Sequence, residues 1–301
     1  MKIAIVGAGI TGITTAVELM EAGHAVTVFE QHRAAAEEAS FAPAGLMWPC
    51  IANPWGATAF AEHLRLGFAR PAFGPLDIKG NALSRQRRWG RKYHAAAKRS
   101  KAADALPALQ ALELLSMQRM QHIQELLNLN AQFNAGCLIP LRKEPTAPAL
   151  YEFTRRLSAA HVDYSLCTAD EARAIEPGLA TDIDLSGALH IPDAWSGNGR
   201  FFGQGLLQAL TEHGLQVLTQ NTVTAVTATN PGVHITSNGT QHAFDAAVLC
   251  TGQFAPPLLR TLGMKLPLAA IEGFSLSTPI AEQSLAPRGS VVDIEHGFVL
   301  T

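Results

Sequence analysis

The chain has 301 residues, 48% hydrophobic and 16% charged, enough apolar content to bury a core and too little polarity for wholesale disorder. At roughly 150 residues per domain, that length corresponds to about two domains. Its 23 Lys and Arg against 25 Asp and Glu leave a formal charge of −2, which gives no global attraction to nucleic acid or anionic lipid, so a small molecule is the default partner.

Lys2–Val6 is a short apolar run rich in β-branched residues, followed at once by Gly7-Ala-Gly9-Ile-Thr-Gly12 and a helical pattern up to Gly23. The glycine spacing, with Glu18 and Glu21, marks a fold element and not a signal peptide. Ala25–Phe29 reads as a second buried strand with Glu30 at its end, 21 residues after Gly9, against the roughly 20 of a dinucleotide-binding unit. In such a unit Gly7 permits the tight turn, Gly9 lets backbone approach a pyrophosphate, and Gly12 lets helix and strand pack closely. The helix N-terminus then meets the phosphate charge. Glu30 accepts hydrogen bonds from the adenosine ribose hydroxyls and repels a 2′-phosphate, which disfavours NADP. The competing reading, a plain turn with a solvated glutamate, leaves the agreement of strand, turn, helix, second strand and acid to coincidence.

Over residues 34–61, Pro43, Pro49 and Pro54 exclude a continuous helix, and Ser40, Ala42, Ala44 and Gly45 are small enough for close backbone approach to a ligand. An ordinary surface loop would instead expose Phe41, Met47, Trp48 and Trp55 at a cost. From Asn81 to Ser100, Arg85, Arg87, Arg88, Arg91, Lys92, Lys98 and Arg99 interleave with Trp89 and Tyr93. That run reads as a solvated helix face, with contact to anionic lipid or a partner protein as the alternative. Leu106, Leu109, Leu112, Met117, Met120, Ile123 and Leu127 recur at helical spacing across Ala105–Asn130 and predict a core-facing helix.

Gly136–Leu141 predicts a strand, Pro148–Ala160 a helix, and Thr168-Ala-Asp170-Glu171 a helix start closed by Pro177-Gly178. Leu185–Trp195 reads as strand and turn, Gly199–His213 as an amphipathic helix, and Leu215–Leu218 and Val223–Ala228 as strands. Val233–Phe244 is a hairpin on an Asn238-Gly239 turn. It leads into Asp245–Gly252, an apolar run stopping at glycine. A buried parallel strand so far from the first two suggests a dinucleotide domain interrupted by a substrate domain, with function where the parts meet.

Cys50, Cys137, Cys167 and Cys250 form no C-x-x-C pair, which argues for a reduced, cytosolic chain without zinc ribbon or disulfide framework. No window approaches about 18 consecutive apolar residues, so no transmembrane helix is expected. G-x-S-x-G, H-E-x-x-H and a Walker lysine are missing and the 11 histidines show no ligand spacing, which leaves metal hydrolysis and phosphoryl transfer unsupported.

An ordered set of segments resembles the D-amino acid oxidase superfamily of FAD-dependent oxidoreductases, and within it the D-amino acid dehydrogenase small-subunit family, over nearly the whole chain. Its carriers are Gly7–Gly12 with Glu30, Ser40-Phe-Ala-Pro-Ala-Gly45, Asn53-Pro-Trp55, Ala172-Arg-Ala-Ile-Glu-Pro-Gly178 and Gly187-Ala-Leu-His-Ile-Pro-Asp193. Asn221-Thr-Val223, Val248-Leu-Cys-Thr-Gly252, Leu266–Ser275 and Ala286-Pro-Arg288 follow. Pro43 departs from a frequent Asn, and Glu272-Gly273-Phe274 from a common Lys-Gly-Tyr.

The resemblance implies an α/β fold, α+β overall, in which a Rossmann-like FAD-binding domain (residues 1–80 and 191–260) is interrupted by a mixed-sheet substrate domain (81–190 and the strands of 261–301). It implies FAD with its ADP half on Gly7, Gly9, Gly12 and Glu30, its adenine near the Val223 backbone, its middle near Ser40 and Gly252, and its flavin near Ala44, Gly45 and Leu46. The implied reaction is hydride transfer from a D-amino acid to FAD, yielding a 2-oxo acid and ammonia. The implied electron acceptor is a quinone or another membrane carrier, reached by peripheral contact with the inner face of the cell membrane. Met47–Trp55 and Arg85–Arg99 are the candidate membrane contacts, and no nucleic acid partner is implied.

Family members continue for about another hundred residues, so a C-terminally truncated chain that lacks closing elements, binds FAD poorly and turns over little or nothing is expected. A glycine or sarcosine-type oxidase passing electrons to oxygen, and a catalytically silent flavoprotein or binding subunit, are the alternatives. An NAD-dependent dehydrogenase would need a second mononucleotide unit where the Ser40–Gly45 segment stands.

Overall fold

A computed structural model describes residues 1–47, 99–129, 131–142, 161–268, 273–280, 286–293 and 298–301, with Trp89, Lys92, Thr154, Arg155, Leu157, Ser158, Ala270 and Glu282 between them. In chain order the elements are β1 (Lys2–Val6), α1 (Ile10–Glu21), β2 (Ala25–Phe29), β3 (Leu46–Met47), α2 (Arg99–Leu127), β4 (Asn134–Leu141) and β5 (Ser165–Cys167). They continue as α3 (Ala169–Ile175), β6 (Gly187–Ser196), α4 (Gly199–Glu212), β7 (Gln216–Leu218), β8 (Val223–Ala228), β9 (Val233–Ser237) and β10 (Thr240–Phe244). The last are β11 (Ala246–Leu249), a 3₁₀ turn at Gly252–Phe254, α5 (Ala255–Thr261), β12 (Ser290–Asp293) and β13 (Phe298–Leu300). The chain divides into two compact units, Met1–Pro43 with Gln124–Gln132 and Asn198–Phe274, and Ala44–Ile123 with Phe133–Gly197 and Ser275–Thr301.

The first unit holds a parallel four-stranded sheet in the order β11-β1-β2-β7. Its central strands are covered on both faces, as parallel sheets require, and Ala4, Ile5 and Val28 are wholly buried. The late apolar run is β11, which pairs parallel to β1 through Ile3–Ala246 and Val6–Leu249. It is half-buried, not buried as expected, because β1 is its one strand neighbour among the described residues. The Asn238-Gly239 hairpin forms as predicted, both residues at positive φ, and with β8 makes a three-stranded antiparallel sheet. Phe29 meets His242 and Phe244 edge-on at 5.3 and 5.8 Å, inside a core that also holds Ala4, Val6, Val226, Ile235 and Leu258.

The second unit holds a mixed sheet in the order β13-β12-β4-β6-β3, with β5 also on β6. Strand alternation sends Cys137, Ile139, Leu189 and Ile191 to one face, where they pack with Leu157 and Val162. Leu138 and Ala188 go to the other face, against Ala172 of α3. Helix α3 opens on a capping box: Thr168 Oγ1 accepts the Glu171 N–H while Glu171 takes the Thr168 N–H. Those bonds, backbone first and then hydroxyl, hold the Glu171 carboxyl below its ordinary range. The buried Glu176 accepts N–H bonds from Gly178, Arg288 and Gly289, which joins the Ala172–Gly178 motif to Ala286-Pro-Arg288.

Helix α2 departs from its predicted role. Ile123 is buried, Leu109, Met117, Met120 and Leu127 are partly so, and Leu112 is 62% exposed. Periodicity places these side chains on one stripe, but the depth to which a stripe is covered depends on what packs there. The predicted Pro148–Ala160 helix is seen at Thr154, Arg155, Leu157 and Ser158. Trp48, Trp55, Arg85, Arg87, Arg88, Arg91, Tyr93 and Lys98 lie outside the described residues.

Cys137 gives the fold a pH signature. Burial pushes its thiol up from 9.0 to about 12, against a smaller opposite pull from its hydrogen bond with Ser290. Above pH 9.0 the unfolded thiol ionises while the folded one keeps its proton, so stability from this group is intact below 9.0 and is lost as pH rises toward about 12. Urea melts at stepped pH on the wild type and C137A measure this; equal alkaline slopes in the two would refute it.

Candidate functional site

The C-terminal ends of β1, β2 and β11 lie on one edge of the parallel sheet, where open α/β sheets bind ligands. Gly7 leaves β1 at φ +104°, and a Cβ there would stand 2.6 Å from the Cys250 carbonyl oxygen. At Gly12 a Cβ would stand 1.9 Å from the Gly7 carbonyl oxygen, so α1 packs directly on the turn that starts it. Gly9 is extended, and its absent side chain leaves room for Ser40 Oγ, which would lie 3.3 Å from a Cβ. That oxygen accepts the Ile10 N–H at 3.0 Å, one of the first-turn N–H groups with no partner inside the helix.

Glu30 is 7% exposed and turned toward this loop. Its Oε2 accepts the Ala8 N–H and its Oε1 the His32 N–H, each at 2.8 Å. An ionised carboxylate has about four lone-pair positions, so about two remain for further donors, the number a ribose diol brings. The backbone of Glu30 bonds Leu218 and Asn221, at 2.9 and 2.8 Å, so the chain entering β8 at the half-buried Val223 runs beside it. At the end of β11, Gly252 has φ +49° with open space where a Cβ would stand. Beside it the Thr251 hydroxyl is buried with no hydrogen-bond partner. A tight glycine cradle and a carboxylate with spare acceptor positions fit the ADP half of a dinucleotide.

Ala44, Gly45 and Leu46 belong to the second unit. Gly45 has φ +64°, and a Cβ there would overlap the Gly197 oxygen at 1.8 Å, while its own oxygen accepts the Gly197 N–H at 3.0 Å. Leu46 pairs with Ser196 and packs on the core, and Ala44 is exposed. The structure thus gathers Gly7, Gly9, Gly12, Glu30, Ser40, Val223 and Gly252 in the first unit and Ala44, Gly45 and Leu46 in the second.

Sequence reasoning passed over Thr251, whose one signal is its place between an apolar run and a glycine. It also passed over the Ala8 N–H, which no side-chain pattern advertises. An amino acid carboxylate calls for an arginine fork, but Arg142 already gives Nε and Nη2 to Asp293 Oδ2, at 3.1 and 2.7 Å.

Over residues 2–301 the chain matches the family described as FAD dependent oxidoreductase (DAO). It is 32% identical over 310 residues to a D-amino acid dehydrogenase of Cereibacter sphaeroides, covering 100% of this chain and 70% of that protein. It is 29% identical to a D-amino acid dehydrogenase of Vibrio vulnificus, covering 100% and 73%. Glycine oxidase from Geobacillus kaustophilus has a similar fold, with TM-score 0.57 and 21% identity over 88% of this chain and 58% of that one. With a glycine cradle and acid that fit the ADP half of the cofactor and a match that runs from residue 2 to residue 301, the chain belongs to the DAO family of FAD-dependent oxidoreductases.

Proposed function

We propose that the chain oxidises D-amino acids to 2-oxo acids and ammonia. The observation that carries this reading is the 32% identity, spread over the whole chain, to a D-amino acid dehydrogenase. When bound, FAD supplies the acceptor for the hydride that leaves the substrate α-carbon. The chain's own residues bind and orient. Glu30 takes the ribose hydroxyls on its spare lone pairs, and the first turn of α1 offers N–H groups and its positive dipole end to the pyrophosphate. Gly9 and Ser40 let that charge come close, and the Val223 backbone meets the adenine. The Thr251 hydroxyl and Gly252 lie along the middle of the cofactor.

Electrons leave to a quinone or another membrane carrier, by peripheral contact with a membrane surface. Among the described residues no helix is long and apolar enough to cross a membrane. The test is anaerobic addition of single D- and L-amino acids to the 301-residue chain at saturating FAD, following the visible flavin band and the 2-oxo acid formed. Bleaching by D-amino acids with stoichiometric 2-oxo acid is expected. A bound flavin that no D-amino acid reduces would overturn the proposal, and rapid peroxide formation in air would replace the quinone with oxygen.

A further inference from the structure

Residues 35–43 carry Ser40 to the start of α1, and the first half of α4 backs this segment along its length. Gly203 takes Ala36 against its Cα, where a Cβ would stand 3.3 Å from that methyl group. Gln204 reaches the Ala35 oxygen at 3.5 Å. At the other end a Cβ on Gly199 would stand 3.1 Å from the Pro43 ring and 3.5 Å from the Ser40 backbone carbonyl oxygen. Asn198 caps the helix by accepting the Arg200 and Phe201 N–H groups, each at 3.1 Å, which fixes the direction in which Arg200 leaves the first turn.

Arg200 contacts the segment on both sides of Ser40. Its Nη2 donates to Glu37 Oε1 at 2.8 Å, three residues before Ser40. Its guanidinium carbon stands 4.5 Å from the Phe41 ring centroid, one residue after Ser40. The ion pair is partly shielded, with side-chain exposures of 37% for Arg200 and 25% for Glu37. A planar guanidinium can make an in-plane hydrogen bond and a face-on ring contact together, whereas an ammonium makes either one with less definition.

We infer that Arg200 is the positioning residue of the FAD site: by gripping Glu37 and Phe41 it holds Ser40 Oγ at the Ile10 N–H and so sets the shape of the surface offered to the pyrophosphate. This rests on the reading that Ser40 faces FAD. Arg200 touches no reacting atom; it acts through Ser40.

The test is a double-mutant cycle on FAD dissociation constants, measured by quenching of flavin fluorescence with wild type, S40A, R200Q, R200K and S40A/R200Q. Each of S40A and R200Q is expected to weaken FAD about tenfold. The double variant should bind within about twofold of S40A, because a residue acting through Ser40 has nothing left to position. R200K should fall between wild type and R200Q, since it keeps the charge beside Glu37 and loses the stacked plane. Multiplication of the two single effects to about a hundredfold would overturn the inference, as would an R200Q affinity equal to wild type. An unchanged S40A affinity would instead sink the placement of Ser40. If R200Q does not fold, F41L and E37Q remove the two grips from the segment side, and the same non-additivity with S40A is required of each.

Discussion

Replacing Gly12 with Ala leaves a protein that no longer binds added FAD and melts well below the wild type. The added Cβ would stand 1.9 Å from the Gly7 carbonyl oxygen and 3.1 Å from its carbon, both backbone atoms with no rotamer to yield. Relief requires α1 to move away from β1, which opens the turn that the pyrophosphate needs and uncovers Ile13, Ala16 and Val17 from the core. Gly7→Ala adds a conformational cost, because φ +104° is foreign to L residues and its Cβ would also meet Cys250. Each substitution should cost at least about 2 kcal/mol of stability. Thermal melts with and without added FAD check this; a G12A protein that melts with the wild type and is stabilised as much by FAD would show that the close packing is not needed.

The second large effect falls on Glu30. E30A removes the acceptor for the Ala8 and His32 N–H groups together with the two lone-pair positions left for the ribose, so FAD affinity should drop about 30- to 100-fold, or about 2–3 kcal/mol. E30Q should not rescue it. One amide oxygen can face Ala8 or His32, but the NH₂ then points a donor at the other N–H, and a buried donor facing a donor costs about 1–3 kcal/mol. Titrations of the two variants with FAD, paired with ADP-ribose as a competitor lacking the flavin, measure the loss. Equal affinity for E30Q and the wild type would mean that the carboxylate is not the ribose acceptor.

Much of this site was legible because its signals are local. Gly7, Gly9 and Gly12 lie within one turn and its helix, and a β-branched run on either side needs only strand geometry to be read. The helix start at Thr168 and the Asn238-Gly239 hairpin were readable for the same reason: the residues that define them are separated by a few positions. Glu30 could be picked out by its distance along the chain from Gly9, though its bonds to the Ala8 and His32 N–H groups could not. The exposure of Leu112 was hidden because periodicity records which residues share a helix face and carries no information on the depth of its cover.

Spacing along the chain was thus enough to determine that residues 2–30 form a dinucleotide unit, which glycines form its turn and which acid follows it. Tertiary structure alone decided that the Thr251 hydroxyl is left without a partner and that Arg200 reaches Glu37 and Phe41. The reason is physical. A turn or a cap is a property of backbone dihedrals and neighbouring side chains, whereas a contact between residues 163 positions apart, as Arg200 and Glu37 are, exists only once packing has brought two elements together.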